Sequence, residues 1–369
     1  MLVEENIKQI DTPIAMPPVD LGVELIEVNQ LTGSERARDT FHVDGDGLAV
    51  AVLDTGLNTS HVDFAGRIPA QANFTSDNGN DSDNAEDGNG HGSNVAGIIA
   101  AGEDSTGMAP KARVIPLKVL GNNGSGSFIA VKDALQWVID NRDTHNITAV
   151  CMSLGGAQNF TSDSDLDMDE IRERIRTLRQ ARVAVVIAAG NDYFNHNSAQ
   201  GMSYPAIIRE CVSVGAVYDA DEGGFSYQSG AVARSSAPDR ITPFSQRLHT
   251  DVSTFCFTDL FASGAPVTAS GIGGPHAKSI QHGTSQAAPT VTGIIVLAQQ
   301  LYQQLNGNLP DVDDLVDLLR VTAVTIHDGD DEDDNVIHTN KDFKRIDAFA
   351  ALARIKRVHE LDVLAAAGQ

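Results

Sequence analysis

No stretch of the chain approaches eighteen consecutive apolar residues, which excludes a membrane-spanning helix by the length a bilayer demands. Basic side chains are scarce: 26 Lys and Arg stand against 50 Asp and Glu, a net charge of −24. Phosphate binding needs clustered Lys and Arg, so the balance argues against nucleic acid as the partner. The excess acid fits a cationic substrate, bound cations or simple solubility, and solubility alone suffices to explain it. Cysteine occurs three times, at Cys151, Cys211 and Cys256. An odd number without close spacing fits neither a disulfide framework nor a zinc motif. Cys151 and Cys211 lie in apolar, strand-like runs, where a buried inert thiol is the ordinary case. The opening MLVEENIKQIDTPIAMPP carries neither a basic leader nor an apolar stretch of signal-peptide length. Nothing in it directs export, so a cytoplasmic location is the expectation, with secretion the alternative if a leader is removed ahead of this numbering.

What is present is enough apolar residue for a large core: 41% of 369 residues. Short apolar runs recur at 48–53, 113–120, 148–154, 183–189 and 211–217. They lack period-two alternation and are rich in β-branched residues, the pattern of strands covered on both faces in a parallel sheet. Helical periodicity falls between them at about 92–102, 129–142 and 167–181, with a longer helix at about 285–304. Strand alternating with helix predicts an α/β domain with a mainly parallel central sheet and helices on both faces. No internal repeat is present. Residues 1–20 read as an extension with little periodicity, and 21–369 as one domain whose last part, 305–369, adds two helical patterns without a linker.

Two acidic, turn-rich stretches stand out, DNGNDSDNAEDGNG at 77–90 and DGDDEDDN at 328–335. Neither matches an EF-hand loop, since the first lacks an acid at the third ligand position and the second lacks the turn glycine. Solvated loops are the preferred reading for both, ahead of another kind of calcium site. Function in open α/β sheets gathers beyond the carboxyl ends of strands. There the chain has DTG at 54–56, SLGG at 153–156 and GND at 190–192. These supply a carboxylate, a glycine-rich segment and an amide.

Taken singly, each motif has a plain structural explanation. Asp and Gly after a strand make a turn, an Asn there tolerates positive φ, and a Ser before a helix caps it. Aspartic-protease chemistry needs two carboxylates sharing a proton, and the chain has no second DTG or DSG. The combination is another matter. GNGHGSNVAGIIAAG opens a helix with His91 between glycines, where a helix N-terminus favours the neutral imidazole that a base requires. HGTSQAAPTV puts the Ser285 hydroxyl behind a Gly-Thr turn at another helix start, where backbone N–H groups can meet a developing negative charge.

In chain order these are Asp54, His91, Asn191 and Ser285, and Asp, His, Ser is the order of subtilisin. The segments AVAVLDTG, GHGSNVAGIIA, MSLGG, AAGN and HGTSQAAPTVTG closely resemble the signatures of the subtilisin-like serine proteases, over roughly residues 20–350. The resemblance implies the family's three-layer α/β domain, with Ser285 as nucleophile, His91 as general base, Asp54 as the carboxylate orienting it, and Asn191 with the Ser285 N–H as oxyanion donors. It implies polypeptide substrates, bound as an added strand between Gly124, Ser125, Gly126 and Phe128 on one side and Ser153, Leu154 and Gly155 on the other. Phe128 would border a pocket upstream of the scissile bond. Asp192 at the rim and Ser203 on the floor would make the primary pocket medium-sized and tolerant of basic residues, with a solvated surface role for Asp192 the equal alternative.

The chemistry needs no cofactor, and the resemblance leaves room for a structural calcium ion. AAGEDSTGMAP, however, is shorter than the loop that binds calcium in many relatives. Ser93 and Asn94 depart from the family's HGTHVAG, and LFASGAPVTAS stands in place of the usual Ala-Pro-Gly as an altered loop near the nucleophile. Pro289 is expected near the start of its helix, where a missing N–H costs least. Residues 1–20 resemble the short extension of intracellular subtilisins that blocks the cleft until removed. The resemblance also admits a peptide ligase or macrocyclase on the same fold, or an inactive protease-fold binding module. Oligomeric state is not legible.

Overall fold

Continuous apolar runs with no polar face need cover on both sides, and the computed structural model supplies it. It describes residues 25–367, so the extension read at 1–20 lies outside the described residues. Two short helices, α1 (Ile26–Thr32) and α2 (Ser34–Phe41), precede strand β1 (Ala49–Asp54) and β2 (Ala72–Asn73). Then come α3 (His91–Ala100), β3 (Arg113–Lys118), α4 (Phe128–His145), β4 (Ile147–Met152), α5 (Glu170–Gln180), β5 (Ala184–Ala188) and β6 (Val212–Tyr218). A small hairpin, β7 (Phe225–Ser226) with β8 (Val232–Ala233), is followed by β9 (Leu260–Ala265), β10 (Val267–Ser270) and β11 (Lys278–Gln281). The chain closes with α6 (Thr284–Asn306), α7 (Val312–Thr322), β12 (Val324–His327), β13 (Asp342–Arg345) and α8 (Ala348–Ala367).

Nine strands form one sheet in the order β12-β13-β9-β6-β5-β4-β1-β3-β2. Its pairs are parallel except β12 with β13. Successive side chains of a strand point to opposite faces, so β1 serves two cores. Val50 and Val52 pack with α3 and α6, whereas Ala49, Ala51 and Leu53 pack with α4. Helices α3, α6 and α8 therefore cover one face and α4 and α5 the other, the three layers expected.

The chain passes from β1 to β2 and β3 on one side, then crosses to β4 on the other. Asp54, the last residue of β1, thus lies at the point where strand order reverses, the place where such sheets bind ligands. All three cysteines are buried and unbonded, and burial pushes the Cys151 thiol up to about 12.

One expectation needs correction. LFASGAPVTAS is not a loop: it forms β9, an interior strand of the sheet, and then β10. Small residues are required there, because a Cβ at Gly264 would sit 2.6 Å from the Gly283 carbonyl oxygen and from the Ala216 Cβ. The strand presses against the turn that carries Ser285.

Candidate active site

Asp54 is fully buried, and its Oδ1 accepts hydrogen bonds from the Thr55 N–H and from His91 Nδ1, each at 2.7 Å. The acceptor is a carboxylate, so Nδ1 bears the proton and Nε2 carries the lone pair. His91 is 1% exposed, and neither its Nε2 nor Asp54 Oδ2 has a hydrogen-bond partner. Buried polar atoms left unpaired are uncommon and mark chemistry when they share a site.

Close approach of α3 to β1 makes this geometry. A Cβ on Gly92 would come 3.2 Å from the Asp54 Cβ and 3.1 Å from the Gly56 nitrogen. Thr55 ties the two elements together: its Oγ1 accepts from the Gly92 N–H at 2.8 Å, and its carbonyl accepts from Lys118 Nζ. Lys118 is fully buried beside Asp54 in the sheet register. Burial pulls its ammonium below the usual lysine range, opposed by the Asp87, Asp77 and Asp54 carboxylates.

The start of α3 is held by Asp87, which accepts from the Gly90, Asn89 and Ser93 N–H groups and from Ser93 Oγ. Burial pushes the Asp87 carboxyl up, but these bonds outweigh it and hold it below the usual range. Hence the 77–90 stretch is not uniformly solvated: it contributes a buried structural acid. Ser93 Oγ also accepts from the Asn58 N–H, at 2.9 Å. Asn94 donates to Ser279 O at 3.0 Å and accepts from Gln286 Nε2 at 3.2 Å, joining α3 to β11 and α6. Both departures from the family pattern have structural duties around His91.

Ser285 is the second residue of α6 and 1% exposed. Its Oγ donates to the Ser153 carbonyl at 3.2 Å, while Ser153 Oγ donates to the Ser285 carbonyl at 2.7 Å. The second bond has a local cause. Pro289 is the sixth residue of α6 rather than near its start, and it lacks the N–H that would reach the carbonyl four residues back, which is that of Ser285. The freed carbonyl takes the Ser153 hydroxyl instead.

Asn191 follows β5, and its Oδ1 accepts from both the N–H and the Oγ1 of Thr284 at 2.9 Å. A backbone N–H only donates, so these bonds fix which end of the amide is oxygen and turn Nδ2 the other way. Nδ2 lies beside Gly283, where a Cβ would come within 3.3 Å of it.

A cleft of about 230 Å³ opens here, lined by Leu154, Gly155, Asn191, Asp192, Ser203 and Ser285 among others. Of the residues named from the sequence, those six meet in it. Gly124, Ser125, Gly126 and Phe128 instead form the turn after β3 and the start of α4. They reach the site indirectly: Leu120, paired with Gly126, donates from its N–H to the Asp54 carbonyl, and the Phe128 ring meets Tyr204 edge-on at 4.8 Å. Ser203 Oγ is buried with no hydrogen-bond partner. Gln228 and Ser229 also line the cleft and went unread. They lie between β7 and β8 in a segment with no periodic signal.

For calcium, the loop within AAGEDSTGMAP is closed by a carboxylate. Asp63 Oδ1 accepts from the N–H groups of Glu103, Asp104 and Ser105 at 3.0, 2.8 and 3.3 Å. An oxygen facing three N–H donors does not fit a cation. Among the described residues, ligand-type side chains converge at Asp328, Glu332 and His338, and at Asp330, Asp331 and Glu332. The first group already holds Arg247, whose Nε donates to Asp328 at 3.0 Å, and does not fit a further cation. Asp328 is itself fully buried, so the 328–335 stretch is only partly a solvated loop. No helix among the described residues is long and apolar enough to cross a membrane.

Residues 45–343 match the family described as "Subtilase family". An intracellular serine protease of Paenibacillus polymyxa is 31% identical over 284 residues, 76% of this chain and 72% of that protein. The major intracellular serine protease of Bacillus subtilis (strain 168) is 37% identical over 184 residues, 49% of this chain and 54% of that one. A subtilisin-like protease of Coccidioides posadasii (strain C735) is 32% identical over 264 residues, 68% of this chain and 44% of the fungal protein.

Proposed function

The chain belongs to the subtilase family of subtilisin-like serine peptidases, and from that premise we propose that it hydrolyses peptide bonds through an acyl-enzyme, with Asp54, His91 and Ser285 as its triad. The observation that carries the assignment is the 2.7 Å bond from His91 Nδ1 to buried Asp54, which leaves a buried, unpartnered Nε2 lone pair as base. Ser285 Oγ–H turns from the Ser153 carbonyl to Nε2, gives up its proton and attacks the substrate carbonyl carbon. The imidazolium so formed is stabilised by Asp54. The oxyanion is received by Asn191 Nδ2 and the Ser285 N–H at the positive end of α6. His91 then returns the proton to the leaving amine, and water resolves the acyl-enzyme by the same steps reversed.

Specificity is broad in this reading, because an extended peptide is held mainly by main-chain bonds between Gly124–Phe128 and Ser153–Gly155. Residues 21–369 act as one peptidase domain. The names of the two bacterial relatives support a cytoplasmic site of action.

The test is cleavage of an unstructured protein by wild type and Ser285→Ala, each with and without a calcium chelator. Loss of roughly 10⁶ in kcat is expected for the variant, the scale known for subtilisin's own nucleophile rather than one derived from this geometry. The chelator is expected to leave wild-type activity unchanged. Equal activity in the two proteins would overturn the assignment.

A further inference from the structure

We propose that Tyr193 is a positioning residue for Asn191, held in place by an ion chain that runs from buried Arg247 and Asp328 to half-buried His338 in the C-terminal acidic loop. The inference rests on the reading of Asn191 as an oxyanion donor and names what fixes the segment that carries it.

Asn191 has its Oδ1 end fixed by Thr284, but the backbone that bears it leaves the sheet at Gly190 and runs as an irregular segment to Ser198. That segment is zipped to a second irregular stretch: the Gln246 N–H donates to Gly190 O at 2.9 Å and the Tyr193 N–H to Phe244 O at 3.1 Å. The second stretch is tied in turn to β6, where the Thr242 N–H donates to Ala216 O at 3.1 Å and the Ala216 N–H to Ser245 Oγ at 3.0 Å, so what holds it also holds the segment that bears Asn191. Arg247, next in the second stretch, is anchored elsewhere. Its guanidinium lies 3.7 Å from the centre of the Tyr193 ring, and its Nε donates to Asp328 Oδ2 at 3.0 Å. Arg247 and Asp328 are fully buried and Tyr193 is 1% exposed.

From the far side, the acidic loop grips the same tyrosine. The Tyr193 hydroxyl donates to the Ile337 carbonyl at 2.8 Å, and the Ile337 N–H donates to Ser198 Oγ at 3.0 Å. His338, the next residue, bridges Asp328 Oδ1 at 3.1 Å and Asp334 Oδ1 at 3.3 Å. The hydrogen bonds it donates to these two carboxylates push its imidazole up to about 10, so it is a cation at neutral pH. Charges alternate along the chain: Arg247 positive, Asp328 negative, His338 positive, Asp334 negative. Each buried charge has an opposite neighbour, which makes the arrangement stiff and costly to disturb. The tyrosine is thus clamped between a cation on its face and a carbonyl at its hydroxyl, two residues from the amide that must not move when charge appears on the substrate oxygen.

The test is a double-mutant cycle on kcat and KM with a peptide p-nitroanilide. Tyr193→Phe keeps the ring under Arg247 and removes only the bond to Ile337, so the fold is retained, as a thermal melt would register. It is expected to lower kcat about fivefold with KM within about twofold of wild type. His338→Gln is expected to lower kcat about threefold in the same way. In an Asn191→Ala background, neither change is expected to lower kcat by more than about 1.5-fold, since the group they position is gone. Equal losses in both backgrounds, or no loss in either, would overturn the inference while the Asn191 assignment stands. If Asn191→Ala alone leaves kcat unchanged, the oxyanion reading itself fails and takes the inference with it.

Discussion

Asp54 and Asp328 are both fully buried carboxylates, and they are treated in opposite ways. Asp328 is saturated: Arg247 and the Thr339 N–H and hydroxyl meet Oδ2, and His338 meets Oδ1. Burial alone would push its carboxyl up, but the Arg247 charge and the bonds from His338 and Thr339 outweigh that and hold it well below the usual range. Asp54 has both its bonds on one oxygen, and the other has no partner. The lesson is that a carboxylate built to stay put is surrounded by fixed charge, whereas Asp54 is left under-satisfied beside the imidazole that takes up a proton in the proposed reaction.

Three substitutions sharpen or break this contrast. The largest effect is expected from Asp54→Asn. An amide there no longer dictates which imidazole nitrogen bears the proton, and kcat should fall roughly 10⁴-fold. Stability should hardly move, because the buried Lys118 ammonium keeps the Asp77 and Asp87 carboxylates. A melting temperature that dropped steeply would mean Asp54 is structural, like Asp328.

Asp328→Asn should do the reverse. It strands the buried Arg247 charge and should cost roughly 3–5 kcal/mol in denaturant unfolding. An unchanged midpoint would show that Arg247 finds compensation elsewhere.

The smallest effect, and the most specific, is expected from His338→Gln. The imidazole is raised from its ordinary 6.5 to about 10 in the folded protein. Its stabilising contribution is therefore full below pH 6.5, declines above that, and is lost once pH has risen through about 10. The variant should melt roughly 5 °C lower than wild type at pH 6, and the two curves should converge above pH 10. A constant gap across that range would mean that the charge of His338 is irrelevant.

The same contrast explains what was readable in the sequence. The strands around Asp54 are short runs of Val, Ile, Leu and Ala bounded by Gly, and the helix starts at His91 and Ser285 are marked by glycine turns. Such local signals needed no partner to be recognised, and the observed starts of α3 and α6 fall one residue before those expected. Around Asp328 nothing local is informative. β13 joins the sheet through one pair, Arg345 with Phe261, and its sequence DFKR has no apolar run. β9 was unread because packing against Gly283 demands Ser, Gly and Ala where a strand usually shows β-branched residues. Buried acids such as Asp87 and Asp328 looked like solvent-facing residues, since the arginines, histidines and amide groups that satisfy them arrive only with the fold.

Pro289 does more than interrupt a helix ladder. By vacating one carbonyl it lets Ser153, on the wall expected to grip substrate, take hold of the main chain of Ser285 at 2.7 Å. A push on that wall therefore reaches Ser285 through two bonds, this one and the one that the Ser285 Oγ donates to the Ser153 carbonyl at 3.2 Å. The cleft wall and Ser285 share one mechanical frame, so in the proposed reaction a peptide seated out of register would disturb the alignment of the serine as well as its own.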